Sequence, residues 1–239
     1  MRLYPAPIAL LACLALAPPA AAVELRPFVA TYEAWYQGKA AGSATMRLEP
    51  RASQWNVSLD IRGERGFAGI VGLNLSQNTA FDVADAVYRP LRQTTVRKAA
   101  VFFSRTVSGV YDWSRGVARW TGDLKKDRQH PVALQPGDMS ALLINLAVIR
   151  DAAPGAALRY RFVDGGRVRE YQYQAAGEAE TVPLGEMSYS ALRVSRTNGG
   201  NDEMILWVAD GVPTPVRILQ REDGEDAVDL RLVEYQGAP

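Results

Sequence analysis

The residues that most often carry out chemistry in proteins are scarce in this chain and poorly spaced for it. The sequence has one histidine, His130, between Gln129 and Pro131. A single histidine cannot build the usual multi-histidine zinc site, and no G-x-S-x-G sequence supplies a nucleophile for a triad. Asp138 and Ser140 are two residues apart, so they would not face each other on a helix. The sequence therefore predicts no catalytic site and no bound cofactor.

An acidic cluster near the C-terminus is the one candidate for a metal site, and its spacing argues against that role. The cluster comprises Glu222, Asp223, Glu225, Asp226 and Asp229. The oxygen ligands of a calcium-binding loop recur at alternate positions, and this cluster lacks that pattern. Asp223 followed by Gly224 is typical of a tight hairpin turn. We therefore predict a charged turn and no metal site.

The N-terminus has the pattern of a secretory signal peptide. An apolar run extends from Ile8 to Ala17, and Ala20 and Ala22 follow it in an A-x-A arrangement. We predict that residues 1–22 are removed on export to the periplasm. Residues 23–239 would then form one domain, since their number suits a single core.

Cys13 offers an alternative processing route, because Leu10-Leu11-Ala12-Cys13 resembles a lipoprotein site. Cys13 lies inside the apolar run, however, and cleavage there would leave apolar residues at the start of the mature chain. The run is also too short to span a membrane, which takes roughly 20 residues. If the only cysteine leaves with the signal peptide, the domain has neither disulfides nor thiolate metal sites.

Hydrophobic residues alternate with polar ones along most of the remaining chain. Trp55, Val57, Leu59 and Ile61 are separated by polar residues, which is typical of a strand with one buried face. Short turns between such runs predict antiparallel neighbours. A ladder this long must curl or close to protect its edges, so we predict a mainly β protein with a strongly curved antiparallel meander sheet or an incomplete barrel. The predicted strands are 28–36, 43–49, 55–61, 76–83, 91–98, 101–112, 117–121, 158–162, 168–175, 187–197, 203–209, 215–222 and 228–232.

One segment, 138–150, predicts the main α-helix of the fold. It contains neither Gly nor Pro, and most of its residues are apolar. Asp138 is placed to cap the first turn, and Arg150 suits the negative end of the helix dipole. A helix that is apolar on all sides is expected to be buried, here across the concave face of the sheet.

Glycines spaced every third residue mark a second irregular segment over 63–73. These glycines make a regular strand or helix costly. The segment is therefore either a loop on the barrel rim or a lid over a cavity. The lid candidates are Gly63, Gly66, Phe67, Gly69, Ile70 and Gly72.

Several short motifs in a fixed order resemble one exported bacterial family. They include Tyr36-Gln-Gly-Lys-Ala-Ala-Gly42, Tyr88-Arg-Pro90, Tyr111-Asp-Trp113, Gly137-Asp-Met-Ser140, Phe162-Val-Asp-Gly-Gly-Arg167 and Glu180-Thr-Val-Pro-Leu-Gly185. In their order and spacing they are similar to the family called domain of unknown function 3108, over 28–235. The resemblance implies a periplasmic protein with a β-rich fold and brings no catalytic residues. The chain departs from the family pattern at 208–211.

Two functional hypotheses follow. The first is a periplasmic carrier that holds an apolar ligand, a lipid or an acyl chain, inside the curled sheet. The fold-level analogy is with the half-barrels that carry lipoproteins. The second is an envelope assembly factor that contacts other proteins and binds no small ligand. Nucleic acid is not an expected partner, because 27 Lys and Arg balance 26 Asp and Glu.

A cavity of ligand size beneath the helix would favour the carrier, and a filled interior would favour the assembly factor. The predicted cavity residues are Trp55, Leu59, Phe81, Phe103, Leu142, Leu146, Tyr160, Phe162 and Trp207.

The processing of the chain is directly testable. Because Ala20 and Ala22 satisfy the small-residue rule for cleavage, the protein purified from the periplasm should begin at Val23. Intact-mass spectrometry measures this. A mass that corresponds to a diacylated Cys13 would contradict both the cleavage site and the predicted release from the membrane.

Overall fold

The described part of the chain folds as one large sheet that curls around an α-helix. The computed structural model describes residues 25–63, 74–99 and 103–237. The first half of the chain forms β1 Phe28–Tyr36, β2 Lys39–Arg51, β3 Gln54–Gly63, β4 Asn74–Ala84, β5 Val87–Ala99, β6 Phe103–Asp112, β7 Val117–Gly122, a 3-10 turn Lys126–Arg128 and β8 Val132–Ala133. The second half forms β9 Asp138–Met139, α1 Ala141–Asp151, β10 Ala157–Asp164, β11 Arg167–Ala175, β12 Glu180–Leu184, β13 Met187–Arg196, β14 Glu203–Ala209, β15 Arg217–Glu222 and β16 Glu225–Gly237.

Two meanders meet at the N- and C-terminal strands. Strands β1 to β8 pair in sequence order, and the second half of the chain returns from β10 to β16. Strand β16 then pairs antiparallel with β1, which joins the halves into one 16-stranded sheet. Only β9 departs from the antiparallel pattern, by pairing parallel with β10. The predicted curved meander with one main helix is therefore confirmed.

The alternation of side chains explains why the sheet curls around a core. On β1 the alternate residues Phe28, Ala30, Tyr32 and Ala34 are all buried. The opposite face of the same strand carries Glu33, which is exposed. Because successive residues of a strand point to opposite faces, burial of one set selects the concave side. None of the helices in the described ranges is both long and apolar enough to cross a membrane.

The helix begins at Ala141, and the prediction that Asp138 caps it is wrong. Ser140 precedes the first turn without a side-chain capping bond. Its hydroxyl lies 3.0 Å from that of Thr79 instead. Asp138 belongs to β9, where its buried carboxylate accepts hydrogen bonds from Gln135 N at 2.8 Å and from Arg161 at 2.5 Å. Tertiary partners therefore replace the local capping role.

Strand β12 was not among the predicted strands. It contains Pro183, which lacks an N–H for a ladder, and proline within strands is confined to edges and irregular positions. The structure is consistent with this rule, because β12 pairs with β13 alone and lies off the main strand path. By contrast, the bounds predicted for 203–209 are those of β14.

The two ends of the sheet meet through side chains. Gln93 on β5 and Tyr111 on β6 face the end of β10. The Tyr111 hydroxyl lies 2.7 Å from both the Val163 carbonyl and Gln93 Oε1. The amide of Gln93 donates to the Asp164 carboxylate. Gln93, Tyr111 and Val163 are all buried, so these bonds close the barrel where no strand ladder spans the gap.

Burial of the helix gives a stability prediction. Leu143 is fully buried, so Leu143→Asp should lower the free energy of unfolding by several kcal/mol, because an unpaired charge enters an apolar environment. Urea melts measure the change. Val233→Asp is the control on a side chain that is 53% exposed and should change stability by less than about 0.5 kcal/mol. Equal losses in both variants would contradict the buried position of the helix.

Candidate functional site

The helix divides the interior of the sheet into two cavities. The N-side cavity, at the N-terminal half of α1, has a volume of about 530 Å³ and contacts Ala141, Leu142 and Ile144. The C-side cavity, at the other half, measures about 760 Å³ and contacts Leu146 and Ile149. Both volumes fall in the range of roughly 300–1,000 Å³ typical of small-molecule sites. The inside of the barrel is therefore only partly filled by side chains.

The floor of the N-side cavity is apolar. Side chains from strands on both halves of the sheet meet the helix there, which makes the cavity a feature of the whole barrel. These floor residues are Leu59, Ile61, Leu75, Leu142, Ile144, Ile218, Val228 and Leu230. Such a surface offers contact area and no reacting group.

An aromatic wall forms one side of the N-side cavity. The rings of Phe162 and Tyr171 are stacked, with centroids 4.6 Å apart, and Tyr173 meets Tyr171 edge to face. The guanidinium of Arg196 lies over the Tyr171 ring at 4.8 Å. Burial raises the pKa of the Tyr173 hydroxyl, so Tyr173 remains a neutral phenol at physiological pH. The wall is therefore aromatic, and its one charged neighbour is Arg196, which also lines the cavity.

The opening of the N-side cavity carries a polar rim, which we define as Arg97, Arg105, Asp123, Arg128, Asp164 and Arg167. Arg97 on β5 stands directly opposite Arg105 on β6 in the ladder. Asp123 accepts a hydrogen bond from the backbone N–H of Thr106 at 2.8 Å. Cations outnumber anions, so the rim is positively charged.

Asp164 joins the polar rim to the sheet closure and to the helix. Its carboxylate accepts from the Gln93 amide and from the Ala141 backbone N–H, the latter at 3.3 Å. Burial raises the pKa of Asp164, although both hydrogen bonds act in the opposite direction. The carboxylate thus anchors the first turn of α1 at the edge of the cavity.

At the C-side cavity, Arg150 is neutralised by a neighbouring carboxylate. Arg150 donates to the Asp151 carboxylate at 2.6 Å and 2.8 Å and to the Ala86 carbonyl at 2.9 Å. The same guanidinium lies 4.7 Å from the centre of the Tyr88 ring. Tyr160 donates to Asp151 at 3.0 Å. The charged residues that line this cavity are Arg26, Arg150 and Asp210, so two cations face one anion there.

The structure separates the residues predicted to line one cavity. Leu59, Leu142 and Phe162 line the N-side cavity, and Leu146 lines the C-side cavity. Phe103 begins β6, and its side chain is outside the described part of the chain.

The other four predicted cavity residues line neither cavity. Trp55 pairs across the ladder with Phe81, which packs edge to face on Tyr88 at 5.6 Å. Tyr160 is held by Asp151. Trp207 lies on the face of β14 opposite to Met204, which lines the N-side cavity.

On that opposite face, Trp207 belongs to a polar cluster. Its indole N–H donates to Glu180, and the Arg217 guanidinium covers the ring at 4.7 Å. Aromatic character alone did not reveal which face of the sheet each ring occupies.

Among the lid candidates only Gly63 is described. It ends β3, and its backbone N–H donates to the Asn74 side chain at 3.2 Å. Gly66, Phe67, Gly69, Ile70 and Gly72 lie outside the described residues, as do residues 1–22 of the predicted signal peptide.

Sequence reasoning missed the charged residues of the polar rim. Arg97 shares one face of β5 with Thr95 and Gln93, so strand alternation could have placed it on the concave side. Arg128 sits in a 3-10 turn between β7 and β8, and no local pattern brings it to the cavity. A tertiary contact with the turn at Gly166 places Arg128 there. The two backbones are so close that a Cβ on Gly166 would lie 2.0 Å from the Arg128 carbonyl oxygen.

In the described ranges, no three His, Cys, Asp or Glu side chains converge as they would around a metal ion. His130 is exposed. The acidic cluster occupies the hairpin between β15 and β16, where Asp223 and Gly224 have positive φ.

Comparison with known proteins agrees with this architecture. The family model described as protein of unknown function, DUF3108, matches residues 31–231. The chain belongs to that family. A crystal structure of a β-barrel-like protein of domain of unknown function DUF1849 from Brucella abortus is similar to this DUF3108 protein, with a TM-score of 0.54 and 11% identity. The similarity covers 90% of this chain and 99% of that one, and it concerns the fold alone. No curated protein is significantly similar.

The position of Asp164 generates a prediction about stability. Asp164→Ala should lower the free energy of unfolding by about 2–4 kcal/mol, because the Gln93 amide and the Ala141 N–H both lose their acceptor. Asp164→Asn is the matched control, since its remaining oxygen still accepts one hydrogen bond and its loss should be smaller. Urea melts compare the variants. A loss of less than about 0.5 kcal/mol for Asp164→Ala would contradict the anchoring role.

The comparison of the wild type with Asp164→Asn also reports the charge of Asp164. Its folded-state pKa is raised above the ordinary value of 3.8, so its stabilising contribution is complete below that value and is lost as pH rises through the folded pKa. The unfolding free energy of the wild type, relative to Asp164→Asn, should therefore decrease from acidic to neutral pH. A relative increase over that range would indicate a lowered pKa instead.

Proposed function

We propose that this DUF3108 protein is a non-catalytic ligand-binding barrel of the bacterial periplasm, which holds the acyl chain of a lipid in its N-side cavity. The observation that carries the proposal is the cavity of about 530 Å³ between the concave face of the sheet and α1. Its apolar floor and aromatic wall match the linings of small-molecule sites, where apolar side chains supply most of the contact area.

The cavity favours ligand binding over the assembly-factor hypothesis. An assembly factor needs no internal volume, and the barrel interior would then be filled by side chains, as small barrels usually are. The similar β-barrel-like structure supports a barrel architecture and carries no statement about a ligand. The periplasmic location in the proposal rests on the signal-like pattern over residues 1–22.

The non-catalytic part of the proposal rests on the sequence, which contains no recognisable catalytic motif. Gln77, Asn145 and Gln220 are the uncharged amides at the cavity, and none is a nucleophile or a general base. The floor residues themselves have aliphatic side chains. Retention and release of a chain, without change to it, is the role that such a surface supports.

An uncharged probe tests the proposal. The methyl ester of a dansyl-labelled fatty acid should bind saturably with enhanced, blue-shifted fluorescence, because its chain leaves water for the apolar floor. Leu59→Trp adds a large ring at the floor and should weaken binding about tenfold or more, since the chain loses contact area.

Val233→Trp adds the same ring on an exposed side chain and should leave the probe affinity unchanged. Mass spectrometry of lipids that co-purify with the natively exported protein provides an independent measurement. The proposal is refuted if the ester does not bind saturably and no lipid co-purifies.

A further inference from the structure

The arginines of the polar rim converge from separate segments of the chain. Arg97 comes from β5, Arg128 from the 3-10 turn and Arg167 from the start of β11, and all three line the N-side cavity. Arg105 stands across the ladder from Arg97. Arg97, Arg128 and Arg167 thus bring three guanidinium groups to one cavity.

Several arginines elsewhere in the chain are paired with carboxylates at short distances. Arg89 bonds Asp82 at 2.7 Å, Arg161 bonds Asp138 at 2.5 Å, and Arg217 bonds Asp229 at 2.8 Å. Within the described chain, Arg97, Arg128 and Arg167 have no carboxylate oxygen within 4.0 Å of their guanidinium nitrogens. These three arginines therefore differ from the paired ones, and all three line the same cavity.

In the described chain, neither carboxylate of the rim forms an ion pair with Arg97, Arg128 or Arg167. Asp164 is committed to the Gln93 amide and the Ala141 N–H, and its raised pKa disfavours the charged form. Asp123 is exposed and bonds a backbone N–H. Burial lowers the pKa of Arg167, and the neighbouring Arg128 lowers it further. The Arg167 guanidinium is therefore neither fully hydrated nor paired with a carboxylate in the described chain.

We propose that Arg97, Arg128 and Arg167 bind the anionic head group of an acyl-chain ligand whose tail occupies the N-side cavity. The inference rests on the function proposed above and specifies its ligand as an anionic amphiphile. Guanidinium groups form paired hydrogen bonds with carboxylate and phosphate oxygens, so the head group is a carboxylate or a phosphate. The aliphatic floor and cationic rim thus correspond to the two ends of one molecule.

A matched pair of probes isolates the head group. The dansyl-labelled fatty acid and its methyl ester share the same chain and fluorophore, and only the acid is an anion. The wild type should bind the acid about tenfold more tightly than the ester, as expected for charge-assisted hydrogen bonds at a partly exposed site. Added salt should reduce this preference, because screening weakens exposed charge pairs.

Variants locate the source of the preference. Arg97→Gln and Arg167→Gln should each weaken binding of the acid severalfold and leave the ester affinity unchanged, and the double variant, which retains Arg128, should show a smaller preference for the acid than either single variant. Arg51→Gln is the matched control, because Arg51 is paired with Glu49 in the opposite hairpin, at the far end of β3 from the rim. Thermal melts establish that each variant is folded.

Competition distinguishes the two head groups. Unlabelled fatty acid and lysophosphatidic acid, which carries a phosphate, are tested as competitors of the acid probe, with lysophosphatidylcholine as the zwitterionic control. Stronger displacement by either anion than by the control supports the proposal and identifies the head group.

Two results overturn the inference while the proposed function stands. One is equal binding of acid and ester by the wild type, and the other is a preference for the acid in the double variant that is as large as in the wild type. Absence of binding by both probes would refute the proposed function itself.

Discussion

The carboxylate of Asp164 is the contact on which the rest of the barrel depends. It accepts from Gln93, on the first half of the sheet, and from Ala141, at the start of the helix, while itself lying on the second half. Tyr111 completes the junction by bonding both Gln93 and Val163. A long antiparallel sheet needs its edges protected, and here side chains provide the closure. The cavity exists because this junction holds the helix inside the curl.

The helix stabilises the fold and shapes the site at the same time. Leu142, Leu143, Ile144, Leu146, Ala147 and Val148 are buried on it, so it replaces much of the core that the two halves of the sheet would otherwise need. A helix occupies the middle of the barrel and leaves space at its two ends. Side chains near its N-terminus line the N-side cavity and those near its C-terminus line the C-side cavity. One element therefore creates two chemically different spaces.

The distribution of charge separates these spaces. At the C-side cavity, Arg150 is bound by Asp151 and by a backbone carbonyl, and it covers the Tyr88 ring. At the N-side cavity, Arg97, Arg128 and Arg167 meet without carboxylate partners in the described chain. Since burial and mutual repulsion both disfavour such a cluster, an external anion is the natural counterpart. The asymmetry makes the N-side cavity the better candidate for an amphiphilic ligand.

Local patterns in the sequence determined the strands, the helix and the absence of a recognisable catalytic motif. Strand β14 and the buried helix were predicted because alternation and helical spacing are properties of neighbouring residues. The start of the helix was misplaced because Asp138 bonds Arg161 and its own backbone turn. Phe162 lines the N-side cavity and Trp207 lies on the other face of the sheet, since faces are assigned by partners distant in sequence. Only the tertiary structure decided how the sheet closes and where Arg128 lies, because those contacts join segments that no local periodicity relates.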